Sequence, residues 1–396
     1  MPKEMVHIYQ RPNQGDGFIA RFPTFQYRHT IAAVGGFDTA SFSLAISRAK
    51  AETILSNRLG CRVHIYRDNP VVPIWEGFIS RGTINAGGVL YTRSLDEMTN
   101  RVSGIHSNAT ASPTYVTAAD NLSSQEVYGI KQGSPDNTTQ RSGSANNLRD
   151  TILSQKAYPQ SSILFNTGGG GSSLTLECLG YYHWLNWGVP FSTSATTRDI
   201  SAYSVNGVIQ QMFVTDPYPN ADFIDTTLAT VLKNPKYVEE IAVNSDQVNM
   251  QGGNATYWDV LARYCEVGDG ITPFVAGVTP TQTDGTRKLY FKAANLGTEY
   301  LIHTKDARVR TIGGRRVAPY LVRPDRMALI ADLNVGIDTD DGDPRLFYVS
   351  QVDYDAQRST VQLRSSDDIT AEGAFRLRYA HDRVGVRFGT ERRRQR

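Results

Sequence analysis

The sequence lacks most of the features that announce a chemistry. Three cysteines in 396 residues, Cys61, Cys178 and Cys265, stand far apart with no Cys-x-x-Cys pair. That excludes a disulfide frame or a cysteine zinc site and fits small hydrophobes in a reducing compartment. The seven histidines, His7, His29, His64, His106, His183, His303 and His381, include no pair at metal-ligand spacing. They read as structural, and no metal or cofactor is expected. No GxSxG elbow and no GxxxxGK[ST] loop is present, which removes the commonest hydrolase and nucleotide signatures. No apolar run approaches the roughly 18 residues of a spanning helix, so membrane insertion by this chain alone is not expected. The first fourteen residues have no signal-peptide apolar core, and nothing there directs export. Neither sign of charge prevails: 41 Lys plus Arg stand against 39 Asp plus Glu. Nucleic acid and anionic membranes are therefore not default partners. The basic residues are 9 Lys and 32 Arg. Interfacial ion pairing and a high-GC genome both account for that bias.

What is present reads as many short strands with small helices. In Phe42–Ser47 the bulky apolar residues fall on every second position, the period of a half-buried strand. Residues 48–59 read as a helix with Ala51, Leu55 and Leu59 on one face, stopped by Gly60. Cys61, Val63 and Ile65 alternate with Arg62, His64 and Tyr66, and strands at 75–79 and 89–92 flank the turn 85–88. Ser94 with Glu97 predicts a capping box for a short helix bearing Leu95, Met98 and Val102. Residues 106–147 are rich in Ser, Thr, Asn, Gln and Gly and read as an extended surface loop or insertion. Leu148 and Ile152 then recover a helical pattern, and a strand at 174–178 precedes the aromatics Tyr181, Tyr182, Trp184 and Trp187. The clearest helix is capped by Thr256 with Asp259 and carries Trp258, Leu261, Ala262 and Cys265 on one side. A hairpin at 273–276 and 288–291 follows, and 347–363 returns to strand–turn–strand. The fold class is α+β, β-rich, with antiparallel barrels or sandwiches.

Candidate chemistry is thin. Gly168–Gly171 reads as a flexible turn, and Asp338–Asp343 as a solvated hairpin tip, since Asp343 and Val349 stand where an EF-hand needs Gly and Glu. The neighbours Glu239-Glu240 and Asp367-Asp368 have no spacing that predicts a shared cleft. No catalytic residue is assigned. Two Arg-rich stretches remain, Arg308 to Arg326 and the tail from Arg376 to Arg396. They lack interleaved aromatics and any DNA-reading motif, so an acidic protein partner is expected. The partner-contact candidates are Arg315, Arg316, Arg392, Arg393 and Arg394.

The arrangement of Cys61–Tyr66, Val72–Ile79 and Val89–Val102 resembles the baseplate hub (tail hub) proteins of tailed bacteriophages. That siphophage tail-tip family is related in fold to VgrG-type hubs. The likeness resumes at Thr256–Cys265 and ends with Arg323–Met327, Phe347–Val349 and Val352–Asp355. Such a resemblance implies two tail-tube-like antiparallel β-barrel domains with small α/β insertions. The units expected are 1–105 as a first barrel, 106–147 as the polar insertion, 148–316 as a second unit, and 317–396 as closing strands plus an Arg-rich tail. It further implies a homotrimer that meets the distal tail or tail tube protein, the tape measure protein and the tip fibre or spike protein. DNA would pass through without sequence-specific binding. The implied place is the virion tail tip, assembled in the host bacterial cytoplasm, and the implied role is structural rather than enzymatic. A hexameric distal tail protein is the alternative. The alternative of another class is a tail-associated cell-wall hydrolase or glycan-binding protein, supported by the Tyr181–Trp187 aromatics.

Overall fold

A computed structural model describes residues 4–11, 14, 17–68, 71–106, 114–133, 138–139, 141–165, 173–187, 256–267, 274–281, 289–303, 305, 308–332 and 346–365. The chain opens with β1 (Glu4–Tyr9), β2 (Phe18–Pro23), β3 (Phe25–Ala32), β4 (Gly36–Leu44), α1 (Arg48–Asn57), β5 (Arg62–Arg67), β6 (Trp75–Ala86) and β7 (Val89–Ser94). Alternation does what it predicts in β4, where Ala40, Phe42 and Leu44 are buried and the serines between them are not. Helix α1 buries Ala51 and Leu55, as its spacing predicts, together with Ile54; it ends at Asn57, so the third expected residue, Leu59, is buried from the turn beyond it, and Gly60 follows with φ +79°. Gly87 and Gly88 both take positive φ in the two-residue turn from β6 to β7, the hairpin turn that L side chains disfavour.

The next stretch departs from expectation. No helix forms after Ser94; its hydroxyl accepts from the Asp96 N–H at 3.0 Å, and Leu95 and Met98 are buried from irregular backbone and Val102 from a short strand instead. After β8 (Arg101–Val102) and β9 (Ile105–His106), the described residues of the polar segment 106–147 are not an extended loop: they hold β10 (Thr114–Tyr115), β11 (Ala119–Asp120), α2 (Leu122–Tyr128), β12 (Gln132–Gly133), β13 (Thr138–Thr139) and the start of α3 (Ser142–Lys156). Two three-stranded sheets are centred on β8 and β9. The physical reason is hydrogen bonding in place of apolar packing. The Asn121 side chain caps α2 through the Ser124 N–H. Fully buried Asn100 donates to Ser124 Oγ at 3.2 Å and the Gly129 carbonyl at 2.8 Å, and accepts from the Lys131 N–H at 2.7 Å.

Then come β14 (Gln160–Phe165), β15 (Ser173–Leu179), a 3₁₀ turn (Tyr181–Trp187), α4 (Tyr257–Val267), β16 (Phe274–Val278), β17 (Leu289–Ala293), β18 (Thr298–His303), β19 (Arg308–Thr311), β20 (Arg326–Ile330), β21 (Leu346–Val349), β22 (Gln351–Asp355) and β23 (Thr360–Arg364). The capping box of α4 is present: the Asp259 N–H donates to Thr256 Oγ1 at 3.1 Å, and Asp259 Oδ2 accepts from the Thr256 N–H at 2.8 Å. Strands β16 and β17 pair antiparallel, as expected.

Eleven strands form one antiparallel sheet in the order β2-β1-β5-β6-β15-β4-β3-β22-β23, with β7 and β14 branching from the far half of β6. Only Thr24 separates β2 from β3, yet they stand first and seventh along that path. The sheet therefore rolls over, and Thr24 marks the corner, with its N–H and Oγ1 both donating to the Glu4 carbonyl at 3.1 and 3.2 Å. The roll encloses a core that includes Ile8, Phe42, Val63, Trp75, Phe78 and Leu176. Among the described residues no ladder closes into a barrel. A second sheet, β19-β18-β20-β21, lies alongside. The strand expected across 347–352 is broken at Ser350: β21 joins the second sheet and β22 the first. Strands from 1–105, 148–316 and 317–396 thus share one sheet.

Candidate functional site

Of the sequence candidates, Arg315 and Arg316 occupy the exposed turn that follows β19, closed by Thr311 N–H to the Arg315 carbonyl at 2.8 Å. Ile312, also exposed, shares the tip. No carboxylate pairs with either arginine among the described residues. Arg392, Arg393 and Arg394 lie outside those residues, as do Gly168–Gly171, Asp338–Asp343, Glu239-Glu240 and Asp367-Asp368. The Arg308–Arg326 stretch is not one patch. Arg326 pairs with Glu299, and Arg323 turns inward with its guanidinium 5.9 Å from the Phe37 ring centre.

Three polar clusters around the main sheet gather titratable groups from different strands. On the outer face of β5, Arg62 and His64 are buried. His64 Nε2 lies 3.2 Å from Oε2 of fully buried Glu76 and 3.4 Å from the Tyr181 hydroxyl, and its Nδ1 is 3.3 Å from the Tyr66 hydroxyl. Glu76 also accepts from the N–H and hydroxyl of Thr281. Burial holds the Tyr66 phenol well above its ordinary pKa. A second cluster crosses the roll. Arg67 donates to Glu4 at 2.6 Å and to the Tyr354 hydroxyl, and stacks 4.6 Å from the Tyr320 ring centre. In the third, Asp38 Oδ1 accepts from the Tyr182 hydroxyl at 2.6 Å and lies 2.8 Å from His183 Nε2. Although burial works against it, those bonds from His183 and Tyr182 hold the Asp38 carboxyl below its usual range.

Each cluster ties together distant stretches of chain: His64 with Tyr181, Arg67 with Glu4 and Tyr354, and Asp38 with Tyr182. Among the described residues no hydroxyl or thiol bonds the His183 ring, whose Nε2 faces Asp38. No group of three His, Cys, Asp or Glu side chains that could hold a metal is found among them either. The three cysteines are free and buried.

Tyr181, Tyr182, Trp184 and Trp187 are core residues. Trp184 stacks on Phe78 at 4.3 Å and 13°, Trp187 meets the same ring edge-on, and Tyr182 packs 4.4 Å from Trp258. A sugar platform needs a ring face open to solvent, and these faces are covered.

Three consecutive exposed apolar side chains lie elsewhere, on β14. It pairs with β7 on one side only among the described residues, with Ile163, Leu164 and Phe165 opposite Tyr91, Leu90 and Val89. Their exposures are 60%, 63% and 79%, so both faces of the strand are open. The other edges of the main sheet among the described residues, β2 and β23, carry Arg21 and Arg364, whereas β14 (Gln-Ser-Ser-Ile-Leu-Phe) has no charge and no proline. Natural sheets protect solvent-facing edges with such residues. The sequence reading did not assign this strand; the run Ile163–Phe165 shortly after Pro159 is the signal that marks it. No family model, curated protein or solved structure matches the chain.

Proposed function

We propose that the chain is a structural subunit of a phage tail tip, a ring-forming baseplate hub that joins the tail tube to the tip fibre or spike and lines the DNA exit channel. The observation that carries the reading is β14, an uncharged edge strand open on both faces, which suits a subunit completed by its neighbours. The rolled sheet with its corner at Thr24 supports the first of two tube-like barrels, and β18–β21 provide the strands from which a second would be completed. In a homotrimer each copy uses different faces toward its two neighbours, and such heterologous contacts close when they complete the rotation. Arg315 and Arg316 then meet carboxylates on a tube, tape measure or spike protein.

Imaging of the purified chain, alone and with its tube protein, tests this. A threefold ring with a central hole is the expected result. A ring of six identical copies would identify a distal tail protein instead. Release of muropeptides by the chain, abolished by substituting a single carboxylate or histidine, would replace both readings with a hydrolase.

A further inference from the structure

A cavity of about 470 Å³ lies between the main sheet and the β16–β17 hairpin. Two of its wall residues, Gly36 and Val278, follow the crossing of Gly35 with Gly277, where the Gly35 N–H donates to the Ala276 carbonyl at 2.7 Å. Ile31, Phe37, Leu289 and Phe291 supply apolar walls. Four charged residues complete the lining: Lys292, Arg323, Asp325 and Arg326.

The charges do not balance. Asp325 is spoken for, with Lys292 Nζ at 2.9 Å on one oxygen, and the Tyr348 hydroxyl at 2.9 Å and the Asn295 N–H at 2.8 Å on the other. Arg326 is neutralised by Glu299. Besides the Phe37 ring, the Arg323 guanidinium meets carbonyls: Tyr320 at 3.1 Å, Val322 at 3.2 Å and Ile74 at 3.5 Å. No carboxylate lies within ion-pair distance of it among the described residues. A guanidinium withdrawn from water without a counter-ion is costly, and its planar fork of donors matches a carboxylate.

We propose that this cavity binds a carboxylate carried on an apolar or aromatic group, with Arg323 as counter-ion and Phe37, Leu289 and Phe291 around the apolar part. One uncompensated cation among apolar walls suits a planar monoanion better than a phosphate, and the volume falls in the range of about 300–1,000 Å³ usual for small-molecule pockets. The carboxylate belongs either to a free organic acid or to the C-terminus of a protein partner. This inference does not depend on the ring reading.

The test is ¹⁹F NMR titration of the full chain with 4-fluorophenylacetate and with the neutral 4-fluorophenylacetamide of the same shape. Saturable binding of the acid is expected, with the amide weaker by roughly tenfold or more, the worth of one charge-assisted bond. Arg323→Met should abolish the preference for the acid. Ala32→Trp, which fills the cavity from its wall and leaves Arg323 in place, should abolish binding. A pentapeptide ending in free Leu-Phe, titrated beside its C-terminal amide, separates the sources. Tighter binding than the small acid points to a partner's terminus, weaker binding to a free acid. Equal affinity for acid and amide, no saturable binding of any probe, or undiminished binding in Ala32→Trp would overturn the proposal, whether or not Arg323→Met folds.

Discussion

Strands β5 and β14 carry opposite surfaces in opposite places. The outward face of β5 holds Arg62 and His64, and both are buried; β14 holds Ile163, Leu164 and Phe165, and all three face solvent. Hydropathy alone would have exchanged them. The difference lies in what covers each strand. The core lies on one side of β5, and the ring of Tyr9 and the hydroxyl of Tyr181 cover His64 on the other. Strand β14 hangs from the branch at the far half of β6, beyond the roll, paired only with β7 among the described residues. Position in the sheet decides burial, and side-chain chemistry then decides whether burial is tolerated: His64 is, because Glu76, Tyr66 and Tyr181 satisfy it.

The sharpest way to break this contrast is to lift the cover from β5. Gly180 begins the 3₁₀ turn, and its N–H donates to the Asp38 carbonyl at 2.6 Å. A Cβ there would stand 1.6 Å from the Phe37 carbonyl oxygen, so the backbone must move. Gly180→Ala should therefore yield little soluble, folded protein, as judged by expression and near-ultraviolet circular dichroism. Gly87→Ala is the control: its φ is +60° but nothing lies within 4 Å of the added carbon, so the cost should be about 1–2 kcal/mol. Comparable behaviour of the two variants would mean that the close crossing does not hold the cover in place.

Removing a partner beneath that cover comes next. Glu76→Ala leaves the Thr281 N–H and hydroxyl and the His64 ring without their shared acceptor, and should cost about 3 kcal/mol in urea denaturation. A loss under 1 kcal/mol would show that water replaces the carboxylate and that β5 is not sealed.

A third effect reads burial through pH. His29 is buried on the inner face of β3, with Nδ1 2.8 Å from the Tyr27 hydroxyl and Nε2 without a partner. A second ring proton would find no acceptor. Burial first, and the Arg323 charge second, hold its pKa well below the ordinary 6.5. The unfolded chain then binds the proton more readily, so stability is full above pH 6.5 and falls as the pH drops below it. The slope should reach at most about 1.4 kcal/mol per pH unit from this group. His7 shifts in the same direction, through burial and then Arg21, and adds to the trend. His29→Gln should flatten the profile between pH 6.5 and 5.5; an unchanged slope would assign it to other groups.

Local signals were legible in the sequence and distant pairings were not. The alternation of β4, the capping box at Thr256 and Asp259 and the β16–β17 hairpin all span a few residues, and the structure contains each. What places β15 between β6 and β4 is contact such as Ser43 Oγ with Thr175 Oγ1, 132 residues apart, and β22 reaches β3 across 323 residues from Thr30 to Asp353. No period in the sequence carries that information. The short strands and helices within the polar segment 106–147 escape a composition argument for a different reason. Its low apolar content predicts a loop, yet one buried asparagine, Asn100, organises it through backbone bonds that composition does not weigh. Of the partner-contact arginines, Arg315 and Arg316 are exposed as a contact requires. Arg323 shows why a charge run misleads: it is twenty residues of sequence but several surfaces in space.

The smallest expected effect on stability tests β14 itself. Phe165 is 79% exposed and its cross-strand neighbour is Val89, so Phe165→Lys removes little buried area and leaves the β7–β14 ladder intact. A change within about 0.5 kcal/mol in urea denaturation is expected, as for surface substitutions generally. The same change puts a charge on an edge that has none, which is how sheets discourage pairing with another chain. Self-association measured by sedimentation should therefore fall while the midpoint of unfolding stays put. If Phe165→Lys instead cost as much as Glu76→Ala, the strand would be packed against part of its own chain. The apolar surface would then be core rather than contact, and the contrast between β5 and β14 would dissolve. A separation of the two readouts means that the fold does not use these side chains and assembly does.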